Sequence, residues 1–111
     1  MSIVDHAGAS TSVLGQAYFL DLLGDAYNGL GRYDEAIVAL SDAAASFKEH
    51  GASCAHAVCL FKIAQSNLAL GYGERAIGYL DECLPIFREL QLPEHEEQAL
   101  RARDACRAAS A

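Results

Sequence analysis

The densest group of side chains able to bind a metal or act as nucleophiles is Cys54, His56 and Cys59. Thiolate and imidazole are ligands that zinc prefers in proteins. In a helix, however, Cys54 and Cys59 point about 140° apart, and the spacing gives neither a C-x2-C nor an H-x3-H pair. We therefore expect packing cysteines here, with no metal and no other cofactor.

Other routes to catalysis also lack a recognisable arrangement. A nucleophilic Ser or Cys needs a positioned base, but the histidines fall near predicted helix ends or loops. They are His6, His50, His56 and His95. The glycines form no phosphate-binding motif of the G-x-G-x-x-G or G-x4-G-K-[ST] type. We expect no enzymatic activity and assign no catalytic residue.

Composition excludes several classes of protein. The chain has 111 residues, 52% of them hydrophobic, which suffices for one small domain with a packed core. Fifteen acidic and eight basic side chains give a net charge of −7, which argues against nucleic acid and an anionic membrane as partners. No apolar stretch approaches the roughly 18 residues of a membrane span, and the start lacks the pattern of a signal peptide. For these two reasons we expect a cytoplasmic protein. Its four cysteines lie in helical patterns, so we expect reduced thiols.

The sequence repeats with a period of forty residues. Residues 17–49 match residues 57–89 at more positions than composition alone explains. The identical pairs are Ala17/Ala57, Leu20/Leu60, Leu30/Leu70, Gly31/Gly71, Ala36/Ala76, Ile37/Ile77, Leu40/Leu80, Phe47/Phe87 and Glu49/Glu89. A third, partial copy begins where Leu60 maps onto Leu100.

Within each unit the apolar residues follow a helical spacing. Leu20, Leu23 and Tyr27 illustrate the three- and four-residue steps of an amphipathic helix, and nothing indicates a strand. Glycines mark the turns. The sequence predicts five helices, at about 13–30, 34–50, 54–70, 74–90 and 94–109, the fourth bent at Pro85.

Short loops between these helices force neighbours to pack antiparallel. The predicted fold class is therefore all-α, built from antiparallel helix-hairpin repeats. We take residues 13–111 as a single helical-repeat domain and residues 1–12 as an N-terminal segment that we allow to be flexible.

Small and large residues follow a characteristic order in both units. The first reads Leu20-x2-Leu23-Gly24-x2-Tyr27 and then Ala36-x3-Leu40-x2-Ala43, and the second keeps the size pattern from Leu60 to Cys83. This order resembles the tetratricopeptide repeats, W-x2-L-G-x2-Y followed by A-x3-F, without the Trp and the terminal Pro. The long period is similar to that of kinesin light chains and of large bacterial transcriptional regulators. The resemblance implies a TPR-like α-solenoid of about two and a half repeats.

A polar stripe lies on the first helix, away from the apolar one. In the resembled family this side of each first helix lines a concave groove that holds a peptide. The resemblance therefore implies a partner-binding groove lined by Tyr18, Asp21, Asp25, Asn28, Val58, Phe61, Gln65, Leu68, Gln98 and Arg101. Because Asp21 and Asp25 are acidic, we expect a protein or peptide partner with basic and apolar residues. A solvated or self-associating face is the alternative.

These observations leave three functional hypotheses. The first is a non-catalytic protein-interaction module that binds a partner segment in the groove or self-associates. The second is a small-molecule-sensing or regulatory domain of a larger transcriptional regulator, and the third is a small enzyme with an unrecognised site. So short a solenoid leaves an end uncovered, and the first helix carries an apolar strip. We therefore expect self-association, most simply as a twofold homodimer, with head-to-tail stacking as the alternative. The strip consists of Val13, Leu14, Tyr18, Phe19 and Leu22.

Overall fold

The protein is a stack of five α-helices, seen in a computed structural model that describes the backbone of residues 2–110 and the side chains of residues 13–109. Over residues 2–110 no strand is present. The helices are α1 (Ser2–Gly29), α2 (Tyr33–Glu49), α3 (Ser53–Ala69), α4 (Gly73–Glu89) and α5 (Pro93–Ser110). The all-α class and the hairpin arrangement are therefore confirmed.

The predicted helix bounds agree to within one residue for the last four helices, and α4 continues through Pro85. The first helix differs, because it begins at Ser2 and not at residue 13. The segment 1–12 thus contributes backbone to α1 from residue 2 onward, while its side chains lie outside the described residues. Flexibility of this segment stays a prediction.

The four turns between helices share one backbone geometry. In each turn one residue has a positive φ: +74° at Gly31 and Gly51, +85° at Gly71 and +56° at Gln91. The next N–H donates to a carbonyl five residues earlier, as from Arg32 to Tyr27 at 2.8 Å. This bond satisfies a carbonyl at the helix end, as in a Schellman motif. Glycine spacing predicted the first three turns but not the fourth, where a side chain accepts the left-handed conformation.

Consecutive helices pack against each other, and α3 also contacts α5. Lys62 of α3 binds two carboxylates of α1. The odd-numbered helices therefore form one layer, and α2 and α4 form the other. One side of the odd-numbered layer packs against α2 and α4. We call the opposite side of this layer the inner face of the solenoid. It is the surface that carries the predicted groove.

Two clusters of buried side chains hold the layers together. The first core cluster surrounds Phe47 and the second surrounds Phe87, at 0% and 1% exposure. Tyr79 of α4 packs against both clusters. Because the clusters share this contact, the two hairpins form one continuous core.

Small residues stand where the helices of a hairpin cross. Ala36 and Ala43 in the first hairpin, and Ala76 and Cys83 in the second, are fully buried. At Gly24 a Cβ atom would lie 2.6 Å from Cδ2 of Leu40. The crossing of α1 and α2 therefore has no room for a side chain at this position.

We predict that Gly24→Ala destabilises the protein by about 1–3 kcal/mol, because overpacking at Leu40 outweighs the better helix propensity of alanine. Gly78→Ala is the matched control, since a Cβ there meets nothing within 4 Å. It should stabilise the protein by about 0.5–1 kcal/mol. Urea unfolding measures both, and equal stabilisation by the two variants would show that the hairpin crossing is misplaced.

Candidate functional site

A pocket on the inner face brings together four of the ten predicted groove residues. Val58, Phe61 and Gln65 of α3 line it with Gln98 of α5, and its volume is about 200 Å³. The remaining lining residues are Lys62, Phe87 and His95. Sequence reasoning placed the four on one surface, and the structure shows that they share one depression between α3 and α5.

The base of this pocket is apolar and its rim is polar. Phe87 is 1% exposed, and its ring lies 5.2 Å from that of His95, centroid to centroid. Phe61 packs against the second core cluster while keeping part of its surface in the pocket. Gln65 and Gln98 are exposed amides, each able to donate and to accept a hydrogen bond. The pocket can therefore take an apolar side chain and bind the peptide groups beside it.

The predicted acidic residues bind a cation within the chain. Nζ of Lys62 lies 2.8 Å from Oδ1 of Asp21 and 3.0 Å from Oδ1 of Asp25. Farther along, the Ser66 hydroxyl donates to the Asn28 side-chain oxygen at 2.7 Å. Asp21, Asp25 and Asn28 thus tie α1 to α3, because they lie on the side of α1 that turns toward the next odd-numbered helix.

Lys62 is consequently held as a cation. Burial lowers the pKa of Lys62. The hydrogen bonds that the ammonium donates to Asp21 and Asp25, together with the attraction of their charges, raise the pKa by more than burial lowers it, so the net change is upward. Two carboxylates and one ammonium leave this group with a net charge of −1. The inner face is therefore less acidic than the sequence stripe alone suggests.

The other three predicted residues lie apart from the pocket. Tyr18 is 54% exposed, and its ring lies 4.8 Å from that of Phe47, centroid to centroid, with the ring planes at 65°. Leu68 is half-buried against the second core cluster. Arg101 is exposed and paired with Glu97 at 2.6 Å.

Sequence reasoning missed Lys62, Phe87 and His95. A signal for Lys62 was available, because two carboxylates one turn apart repel each other unless a cation lies between them. Nothing comparable indicated Phe87 or His95, since they join the pocket only through the packing of α4 and α5 against α3.

The cysteine and histidine group has a structural role. Cys54 is exposed and Cys59 is buried, as their predicted divergence requires. Burial raises the pKa of Cys59 and of Cys83 to about 12, so both stay protonated and poorly nucleophilic at neutral pH. The Nδ1 of buried His56 lies 3.0 Å from the Ala44 carbonyl oxygen and ties α3 to α2. The described residues contain no group of three or more His, Cys, Asp or Glu that could hold a metal ion.

No helix in the described part of the chain is both long and apolar enough to cross a membrane. Comparison with protein-family models finds no family that matches the sequence, and comparison with curated proteins finds no relative.

We predict that Lys62→Met lowers the free energy of unfolding by about 1–3 kcal/mol, because it leaves Asp21 and Asp25 facing each other without their cation. The pKa of Lys62 is raised on folding, so its contribution is complete below the ordinary value of 10.5 and is lost as pH rises through the folded value. The difference between wild type and variant should therefore hold at neutral pH and shrink in strong alkali.

Arg101→Met is the control, because the exposed Arg101–Glu97 pair should contribute at most about 0.5 kcal/mol. Urea unfolding at a series of pH values measures both variants. Equal effects of Lys62→Met and Arg101→Met at pH 7 would show that the α1–α3 network does not hold these helices together.

Proposed function

We propose that the protein is a non-catalytic interaction module that binds a segment of a partner protein on its inner face. The pocket between α3 and α5 is the observation that carries this proposal. It combines an apolar base with two exposed amides on a rigid helical surface. Such a surface suits recognition of one anchoring side chain and its flanking backbone.

The repeat pattern supports the same proposal. We take the chain as a long-repeat relative of the tetratricopeptide group, in which the face of the first helices holds a peptide. In support, the Leu20-x2-Leu23-Gly24 pattern falls where α1 crosses α2, and the pocket lies on the odd-numbered layer. This assignment is a hypothesis based on pattern and geometry.

The chemistry of the surface indicates the kind of partner. An apolar side chain of moderate size would fill the pocket, while Gln65 and Gln98 bind its backbone. Asp25 remains 47% exposed beside Lys62, and the local charge of −1 favours a Lys or Arg nearby on the partner. We therefore propose an apolar anchor with a basic residue close to it in sequence.

A small-molecule-sensing role receives less support from the described surface. Sensing of this kind calls for a ligand to be largely enclosed. The inner-face pocket is only partly enclosed, and its volume of about 200 Å³ is below the roughly 300–1,000 Å³ of ordinary small-molecule sites. It suits one side chain of a protein segment better than a whole small ligand.

Self-association is a second form of the interaction hypothesis. The apolar strip predicted on α1 is exposed at Val13, Tyr18, Phe19 and Leu22, by 38% to 68% of each residue. Leu14 is the exception, because it packs against the first core cluster. A homodimer formed through this strip would have the mass of two chains in light scattering at micromolar concentration. A mass of one chain at all concentrations would contradict it.

We predict that a displayed peptide library, selected on this protein, yields sequences with an apolar anchor next to Lys or Arg. Val58→Asp should weaken binding of a selected peptide at least about tenfold, because a charge would enter the apolar pocket. Gln98→Ala should weaken it less, through loss of one hydrogen bond. Titration calorimetry measures each affinity.

Tyr72→Asp is the matched control, because Tyr72 is an aromatic residue, 45% exposed, that does not line the pocket. It should leave the affinity unchanged. Equal binding by wild type and Val58→Asp, with both folded by circular dichroism, would place the partner elsewhere.

A further inference from the structure

The end of the stack formed by α1 and α2 carries a second apolar surface. We call it the end face, and its residues line a pocket of about 410 Å³ that opens to solvent. Leu20, Leu23 and Tyr27 of α1 line it with Val38 and Ala39 of α2, and its acidic rim consists of Asp34, Glu35 and Asp42. Leu30, in the turn that follows α1, is 70% exposed.

The second hairpin shows what normally covers such a surface. Ile63, the repeat equivalent of Leu23, is 1% exposed and belongs to the cluster that contains Phe47 of α2. Cys59 is fully buried in the same cluster, whereas its equivalent, Phe19, is 64% exposed. Helix α2 therefore covers the surface of the second hairpin that is equivalent to the open end face of the first hairpin. This internal comparison indicates that a helix fits the end face.

The two hairpins differ at the positions that determine how this space is filled. Tyr79 packs against both core clusters in the second hairpin, but its equivalent in the first is Ala39. Val38 is 64% exposed where the second hairpin has Gly78. A helix docked on the end face must therefore supply the bulky apolar side chain that Tyr79 supplies internally.

The rim of the end face selects the charge of that helix. Arg32 pairs with Glu35 at 2.6 Å, and its guanidinium lies 5.2 Å from the centre of the Tyr27 ring. Asp34 and Asp42 have no ion pair with any described residue. The second hairpin carries Arg75 at the place of Glu35, whereas in the first hairpin Asp34 and Asp42 leave the rim acidic after Glu35 has paired with Arg32. Basic side chains complement it.

A second copy of the chain suits this surface less well. A twofold contact would set the Asp34 and Asp42 rims of two chains facing each other, each chain carrying a net charge of −7. In a head-to-tail contact, the exposed part of α5 offers charged residues instead of an apolar stripe, including Glu97, Arg101 and Asp104.

We infer that the end face binds an amphipathic helix of a partner protein, which carries a bulky apolar residue for the pocket beside Ala39 and Lys or Arg residues toward Asp34 and Asp42. This site is separate from the inner-face pocket, since the two share no lining residue. The protein therefore has two independent surfaces for partner proteins.

The test uses a labelled seventeen-residue synthetic peptide, the length of α2, with Leu and Phe on one helical face and Lys on both flanks. A peptide of the same sequence with Glu in place of every Lys is the control for its charge. Fluorescence anisotropy should show micromolar binding of the Lys peptide and at least about tenfold weaker binding of the Glu peptide.

Two variants of the protein locate the site. Ala39→Tyr should fill the pocket as Tyr79 does, and Val38→Lys should repel the peptide, so each should weaken binding at least about tenfold. Gly78→Lys is the matched control, because it adds the same charge at the equivalent open position of the second hairpin. Neither it nor Val58→Asp, in the inner-face pocket, should change the affinity.

Three results would overturn the inference. The first is equal affinity for the Lys and Glu peptides, or binding of neither. The second is equal loss of binding in Val38→Lys and Gly78→Lys, with Ala39→Tyr folded and binding normally. The third is a mass of two chains in light scattering that Val38→Lys reduces to one, because a second copy would then occupy the end face.

Discussion

The close crossing of α1 and α2 is the constraint from which the architecture follows. Leu40 lies so near Gly24 that no Cβ fits between them. Ala64, Ala76 and Cys83, all nearly or fully buried, supply small residues in the second hairpin. Because the helices of each hairpin approach this closely, large side chains must project to the two sides, where they bury themselves against the neighbouring hairpin. This burial between neighbouring hairpins produces the stack of helices.

Each hairpin can complete its core only with a neighbour, and this requirement produces both candidate sites. Between the hairpins the need is met by α2, which covers Ile63 and Cys59. At the end face no described helix meets this need, and Leu23 and Val38 border an open pocket. On the inner face, the packing of α3 against α5 leaves a depression above Phe87. The packed core and the two candidate sites therefore follow from the same packing rule.

The forty-residue repeat was sufficient to predict most of the fold. Apolar spacing located α2 to α5 within one residue, and glycines marked the first three turns, which repeat the same left-handed geometry. The start of α1 was not predictable in this way, since residues 2–12 have no counterpart in the repeat. At Gln91 the left-handed turn occurs without its usual glycine, so composition gave no sign of it.

The candidate site was predictable in part. Spacing placed Val58, Phe61, Gln65 and Gln98 on one surface, and all four line one pocket. The same spacing assigned Asp21 and Asp25 to a partner. The structure pairs both with Lys62 within the chain, and their role toward a partner stays a prediction. Helical periodicity gives the side of a helix on which a residue lies, but not whether that side faces solvent or the next helix. Only the packing of α3 beside α1 decides this.

Backbone NMR of the isotope-labelled protein, titrated with a peptide selected from a displayed library, shows whether a partner segment binds the inner face. We expect amide shifts to change along this face, at Val58, Gln65 and Gln98, while the amides of α2 remain unchanged. Saturable shift changes confined to the even-numbered helices, with none at these three residues, would contradict this expectation.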